Sequence, residues 1–443
     1  MRRWVRLALA EVQQTTRVAL RSSVARNAGY LYVVQFANYI VPLITVPYLV
    51  RVLGASGYGT VAFAQSLITY LVVVVEYGFP FSATRRISGQ REDKTAMTRT
   101  AFSVWAAKGV LCLACLASLL LLTAVVAKLR PITALLVALY GTVFGNVLFP
   151  TWLFQGTERM ATMSLVNLGL RLLTTAGVFA FVRSPDDLLT YGLVLGTGSI
   201  AAGIAGGGLA MAMFRMRPVI PTLREVREIL ADGLTLFAAR ASTALYTAAN
   251  PFILGLFTSP AVVGYYSAAE RIARAATGLF GPMADAAYPK LSKLAPKSRA
   301  ATRMWAKRML IGMAGVGFGA SIAAVIGAPL IVRIVLGTQY APSVAILRIL
   351  AVLPAVTAIS NVLGIQVMLP FGRDRSFLAI VLIAGVINVG SAALFIPLWK
   401  GPGMAASLVL TETFVTSCVV AYVRRRIFPR DRSGSLRTTE ADK

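Results

Sequence analysis

Three formal charges stand within five residues in the stretch YYSAAERIARAA, residues 265–276: Glu270, Arg271 and Arg274. A guanidinium presents a planar fork of N–H donors that fits two phosphate oxygens at once, and a carboxylate beside it can hold a proton or a cation. With Glu270 at zero on a helical wheel, Arg274 falls at about 40°, Ser267 and Asp285 at about 60°, Arg271 at about 100° and Tyr266 at about −40°. The rest of the helix is apolar enough for a bilayer. A polar stripe of this kind must face other helices or a water-filled cavity, because a charge facing lipid costs about 2.5–3.5 kcal/mol or more.

The preceding apolar segment repeats the design. Asp232, Arg240, Thr243, Tyr246, Thr247 and Asn250 share an arc of about 120° on the wheel. Gln65, Thr69 and Glu76 line one face of another segment, Asn167 and Arg171 sit one turn apart in a third, and Gln35 and Asn38 keep helical spacing in the first, which Pro42 and Pro47 interrupt. The arginines suit a phosphate-bearing anion, and Tyr246, Tyr266, Ser267 and Thr247 suit sugar hydroxyls. Glu270, Asp285 and Glu76 are candidate proton or sodium sites, so coupling to H+ or Na+ is the one cofactor-like requirement the residues raise. Two alternatives stay open. Glu270 with Arg274 at i,i+4 is also the spacing of an ion pair that only fixes packing, and five embedded acids (Glu76, Asp232, Glu270, Asp285, Glu412) nearly balance the basic residues. Lys108 is expected to snorkel to the nearer interface.

The remainder of the chain narrows the chemistry. There is no histidine, which removes His-based acid–base catalysis, His-activated nucleophiles and the commonest metal ligand. Cys112 and Cys115 form a C-x-x-C, but in LCLACLASLL they read as small apolar side chains rather than a redox or metal pair. No G-x-x-x-x-G-K-[ST] loop occurs. No metal site and no enzymatic centre is expected.

The elements that must position these groups are membrane helices. Of the 443 residues, 57% are hydrophobic and 14% charged, and the mean hydropathy is +0.72. Twelve apolar segments cover 29–50, 60–81, 102–127, 131–155, 162–182, 187–213, 230–256, 261–285, 304–328, 343–370, 376–397 and 403–423, each near the ~20 residues a spanning helix needs. The net charge of +27 would point to nucleic acid in a soluble protein. Here the placement of the charge decides against that partner. With the N-terminus inside, 32 of the 44 Lys and Arg fall in cytoplasmic segments, six in outer loops and six within spans, the bias expected of a multi-pass protein with both termini in the cytoplasm. The expected organisation is a basic tail over 1–28, a first lobe of six helices over 29–213, a basic linker over 214–229, a second lobe over 230–423 and a basic tail over 424–443. The first 28 residues read as a cytoplasmic or interfacial tail and not as a cleavable leader.

The halves also resemble each other. PYLVRVLGASGYGTVAFAQS aligns with PFILGLFTSPAVVGYYSAAER, so that Pro47 matches Pro251, Gly59 matches Gly264 and Gln65 matches Glu270, with one residue inserted. Two six-helix halves in one orientation form a parallel repeat about an axis along the membrane normal, a plan common among transporters. The fold class expected is all-α integral membrane, with twelve transmembrane helices in two parallel six-helix lobes around a central cavity.

Several stretches carry a family resemblance: residues 27–88, beginning NAGYLYVVQFANYIVPLITVPYLVRVLGASGYGTVAFAQS, then LYTAANPFILG, VGYYSAAERI, AAYPKLS, LPFGRDRSF, Ile387–Asn388 and GMAASLVLTETFV. Together they resemble the Wzx-type O-antigen and polysaccharide flippases of the multidrug/oligosaccharidyl-lipid/polysaccharide exporter superfamily. The resemblance implies a carrier that moves undecaprenyl-pyrophosphate-linked oligosaccharide from the cytoplasmic to the periplasmic leaflet of the bacterial inner membrane. It also implies alternating access around a cationic cavity, and membrane lipids, a polysaccharide polymerase and chain-length machinery as partners. On that pattern Arg51, Arg240, Arg271 and Arg274 are the candidates for the pyrophosphate and sugars, with Arg171, Tyr246, Tyr266 and Asn250 beside them. The competing readings are a multidrug or cation antiporter of the same superfamily and a membrane polysaccharide polymerase or glycosyltransferase.

Overall fold

The computed structural model describes residue 41 and residues 44–278 and 280–429. Among these residues every regular element is helical and no strand occurs. Eight helical stretches are long and apolar enough to cross a membrane: Gly54–Ser88, Lys94–Val125, Arg130–Gly156, Met160–Phe181, Leu188–Phe214, Arg299–Leu336, Ser343–Met368 and Asp374–Ile427. The chain is a multi-pass α-helical membrane protein.

The last of these stretches, 54 residues long, far exceeds the ~20 needed for one crossing. Its backbone leaves the helical region at Lys400 (φ 52°, ψ −122°), between Pro397 and Pro402. Hydrogen bonds pair the two arms antiparallel about that point. Asn388 Nδ2 donates to Thr411 Oγ1 at 3.4 Å, the Ser391 and Ser407 hydroxyls meet at 2.6 Å, and Ser407 donates to the Asn388 carbonyl at 3.0 Å. These arms are the eleventh and twelfth expected segments.

The seventh and eighth expected segments fall short of the apolar threshold because they carry the charges described above, and each is broken. Leu223–Thr247 is followed by a separate helix Asn250–Phe257, and Pro260–Gly278 by Gly281–Leu294. Pro251 and Pro282 sit second in the new helices, where the missing N–H and the clash with the preceding turn prevent an unbroken run. This corrects the helical wheels. Asp285 lies beyond a break from Glu270, and Asn250 beyond a break from Arg240, so neither belongs to a continuous arc. The first expected segment lies outside the described residues as far as residue 40, and residues 44–52 are helical.

Packing groups the described residues into two compact units. One takes the residues up to Tyr48 together with Leu71–Arg240, and the other takes Leu49–Tyr70 together with everything from Ala241. The helices Gly54–Glu76 and Leu223–Thr247 therefore contribute to both. In the first unit, Thr133–Leu148 and Leu188–Phe214 approach through small residues. A Cβ on Gly196 would stand 2.2 Å from the Ala138 carbonyl oxygen, the close backbone approach by which helices associate in lipid. Trp152, Phe79, Ile87 and Val104 fill a core nearby. In the second unit, Ala306, Val367, Met368, Val419, Val423 and Ile427 form one core cluster, with Phe371, Phe377 and Phe428 packed against it.

Lys108 does not snorkel. Its side chain is buried, and Nζ donates to the Asn146 carbonyl at 2.6 Å. Asn146 lies in the last turn of Thr133–Leu148, where its carbonyl would take the N–H of residue 150, and that residue is Pro150. Proline leaves the carbonyl without a donor, and an ammonium is a good cap for it, favoured further by the negative end of the helix dipole.

Candidate substrate-binding site

Pro260 starts the helix Pro260–Gly278 at a position where its missing N–H costs nothing. Val263, Gly264, Tyr266, Ser267, Ala268, Ala269, Glu270 and Ala273 form its buried face. Small residues dominate that face, so the backbone approaches its neighbours closely and leaves Tyr266 and Glu270 as the groups that reach inward. Arg274 Nε and Nη2 donate to Glu270 Oε1 at 3.0 and 2.7 Å. The carboxylate is sunk, with 6% of its side chain exposed, while the guanidinium is 45% exposed.

Arg271, one residue further, is exposed and turns to the helix Gly54–Glu76. Its Nη2 donates to Gln65 Oε1 at 3.1 Å, and its guanidinium carbon lies 6.0 Å from the centre of the Tyr58 ring. Its exposed guanidinium needs water or a polar partner, since hydrocarbon would exact the cost given above.

Several neutral polar groups are buried in the same unit without a hydrogen bond of normal geometry. They are the hydroxyls of Tyr58, Tyr266, Ser267 and Tyr340 and both polar atoms of the Asn250 side chain. Each such atom costs about 1–3 kcal/mol if it stays unpaired, and buried polar groups in native proteins find a protein or water partner. The Tyr266 hydroxyl is within electrostatic reach of Asn250, Glu270 and Arg274, and Glu412 on Asp374–Tyr422 is within reach of Arg274. The unit therefore holds two basic groups, two acids and a set of unpaired hydroxyl and amide atoms around one helix. That array can bind an anion at the guanidinium groups.

The structure thus brings together Arg271, Arg274, Glu270, Tyr266 and Asn250 from the expected set. Gln65 and Tyr58 are among the contacts of Arg271, and Glu412 lies within electrostatic reach of Arg274. Gln65 is visible as the repeat partner of Glu270, whereas Tyr58 gives no sequence signal, and Glu412, legible as an embedded acid, is tied to Arg274 only by the packing of its helix. Arg51 sits in the second unit, where its Nη2 donates to the Ile334 carbonyl at 2.5 Å. It caps the end of the stretch Arg299–Leu336. Arg171 is half-buried on Met160–Phe181 in the first unit, and Glu76 ends its helix there within electrostatic reach of Lys108. Arg240 and Tyr246 lie on Leu223–Thr247 and Asp285 on Gly281–Leu294, but their side chains are outside the described set.

Residues 24–295 match a family model described as polysaccharide biosynthesis protein. The chain belongs to that family. A relative from Escherichia coli (strain K12), named "Putative O-antigen transporter", is 33% identical over 410 residues, which cover 93% of this chain and 98% of the relative. A protein of the same name from Shigella dysenteriae is 27% identical, covering 90% of this chain and all of the relative. Among solved structures, this polysaccharide biosynthesis protein is similar in fold to lipid II flippase MurJ in an inward closed conformation, with a TM-score of 0.73 at 12% identity and 88% and 87% of the two chains covered. An inward-facing multidrug resistance MATE family transporter, described as a member of the MOP superfamily, aligns with a TM-score of 0.60 at 15% identity, over 88% of this chain and 98% of the other. At such identities the likeness is one of fold. The family resemblance drawn from sequence motifs holds, and both curated relatives are named as transporters rather than enzymes.

Proposed function

We propose that this family member is a flippase for lipid-linked oligosaccharide, carrying undecaprenyl-pyrophosphate-linked repeat units from the cytoplasmic to the periplasmic leaflet of the inner membrane for surface-polysaccharide synthesis. Twelve spans, cytoplasmic termini and alternating access belong to this reading. Unaided flip-flop would strip a pyrophosphate and several sugars of their hydrogen bonds to water, at several kcal/mol for each polar group left unpaired. A hydrated polar face on a membrane helix removes most of that barrier while the prenyl tail stays in lipid.

The observation that carries the reading is the contact of Arg271 with Gln65. A neutral amide oxygen is among the partners of this guanidinium, and a phosphate brings what the amide lacks, a full opposite charge and two oxygens for the guanidinium fork. Arg274 is already neutralised by Glu270, so its role is secondary: it releases to the substrate only if Glu270 takes a proton or cation. That exchange would give different headgroup affinities to two states of the carrier, the condition for a ligand to bias them. Tyr266 and Asn250 supply hydroxyl and amide groups for sugars, while Arg240, Arg171, Arg51 and Tyr246 remain candidates for further contacts, and Asp285 and Glu76 for ion coupling.

The test is flipping of a defined polyprenyl-pyrophosphate saccharide by purified protein in vesicles. Arg271→Ala is expected to slow it at least ~10-fold, the loss of one charge-assisted contact, and Arg274→Ala to slow it less. Full-rate flipping by Arg271→Ala would defeat the assignment, and transport of organic cations in place of the saccharide would favour an antiporter.

A further inference from the structure

The basic residues at the two units' loop ends are disposed differently. In the first unit, ten Lys and Arg in the loop segments 82–99, 157–160 and 214–232 are accompanied by six Asp and Glu. Four of the ten pair there: Arg86 with Asp232 at 3.3 Å, Arg91 with Glu158 at 2.8 Å, Arg99 with Glu225 at 3.5 Å and Arg224 with Glu228 at 3.0 Å. In the second unit, segments 290–308, 373–375 and 424–426 hold twelve Lys and Arg and one acid, Asp374. Among the described residues, none of the eleven of these whose side chains are described enters an ion pair.

These basic residues are held in place by a core. Ala306, Val423 and Ile427 are buried in one cluster, with Phe371, Phe377 and Phe428 packed on it and the Phe371 and Phe428 rings 5.9 Å apart. Arg303, Lys307 and Arg308 flank Ala306, Arg373 and Arg375 lie between Phe371 and Phe377, and Arg424, Arg425 and Arg426 occupy the π-helical turn Val423–Ile427; all eight are exposed. The arginines therefore project from a fixed base.

We infer that this end of the second unit binds anionic phospholipid headgroups, with Arg424, Arg425 and Arg426 as its centre. Guanidinium forks fit phosphate oxygens, the leaflet toward which basic loops turn carries the anionic lipids, and the first unit's basic segments hold six acids, four of them in ion pairs, where those of the second hold one. This surface is separate from the Glu270–Arg271–Arg274 group, and its occupancy does not depend on what the protein transports.

Purified full-length chain in phosphatidylcholine vesicles and in vesicles containing phosphatidylglycerol tests this by melting temperature. The wild type is expected to gain stability from phosphatidylglycerol, and Arg424→Gln/Arg425→Gln/Arg426→Gln to lose most of that gain while melting normally in phosphatidylcholine. Arg215→Gln/Arg217→Gln/Arg227→Gln, three exposed charges of the first unit, is expected to keep it. A wild-type gain that survives about 0.5 M salt, where surface charges are largely screened, would overturn the inference, as would an undiminished gain in the first variant. An equal gain from soluble inorganic polyphosphate in phosphatidylcholine vesicles would also overturn it, in favour of a soluble anion.

Discussion

Gly59 and Gly264, aligned by the internal repeat, pack against each other where the helices Gly54–Glu76 and Pro260–Gly278 meet. A Cβ on Gly59 would stand 1.7 Å from the Pro260 carbonyl oxygen and 2.6 Å from the Gly264 nitrogen, and one on Gly264 would stand 2.0 Å from the Ala55 carbonyl oxygen. Backbone meets backbone, so no flexible side chain can yield. The next repeat-matched position, Gln65 against Glu270, supplies the partners of Arg271 and Arg274. The crossing therefore sets the distance at which the guanidinium groups are held.

Gly264→Ala should then destabilise the protein by about 1–3 kcal/mol, the range for forcing an extra carbon into a packed contact, and Gly59→Ala by at least as much. Gly312, inside the helix Arg299–Ile331 with nothing within 4 Å of its would-be Cβ, serves as the control, and Gly312→Ala should be neutral to stabilising, by up to about 1 kcal/mol. Thermal unfolding in one detergent compares the three. Equal behaviour would show that the crossing is not tight.

The Glu270–Arg274 pair predicts non-additive mutants. Arg274→Gln leaves a sunken carboxylate without its cation and should cost about 1–3 kcal/mol, less than a wholly buried pair because the guanidinium is partly exposed. Adding Glu270→Gln should recover a good part of that loss. A double-mutant cycle reads the coupling, and additive effects would mean the pair is not an energetic unit.

Lys108→Met keeps the length of the side chain but removes the donor to Asn146. The expected cost is about 1–3 kcal/mol for a carbonyl left bare in the interior. Lys128→Met, in a loop and exposed, should be close to neutral. Unfolding midpoints of the two variants side by side would show whether Lys108 acts as a cap.

Glu225 predicts a pH effect. The Thr222 N–H and hydroxyl donate to its carboxylate at 2.7 and 3.0 Å, while the Glu225 N–H donates back to the Thr222 oxygen at 3.3 Å, a capping box at the start of Leu223–Thr247. Those hydrogen bonds, with a smaller contribution from Arg99, hold the carboxyl below the ordinary glutamate range. A lowered folded-state pKa means the stabilisation is complete at neutral pH and is lost as the pH falls through the folded-state value. The fall in melting temperature on acidification should therefore be shallower in Glu225→Gln than in the wild type. Parallel profiles would contradict this.

Most of the membrane character was legible from hydropathy and charge placement, because both are properties of segments and survive errors of a few residues. What sequence reading missed depends on single prolines and on partners far along the chain. Pro251 and Pro282 break helices that periodicity alone draws as continuous, which removes Asp285 from the stripe of Glu270. The cap on Asn146 comes from 38 residues away, so Lys108 looked like any lysine near a helix end. Arg271 and Arg274 were readable because their stripe is local, and Gln65 because the repeat aligned it with Glu270. Glu412 could be noted as an embedded acid but not assigned to Arg274 before the helices packed.

Neither unit is a continuous stretch of chain, since the change of allegiance falls inside helices, at Tyr70–Leu71 and at Arg240–Ala241. The halves aligned by sequence and the packing units therefore have different borders. A gene cut between the repeats would give two fragments, each missing a helical segment that its packing unit takes from the other. Such fragments should be recovered folded only when synthesised together.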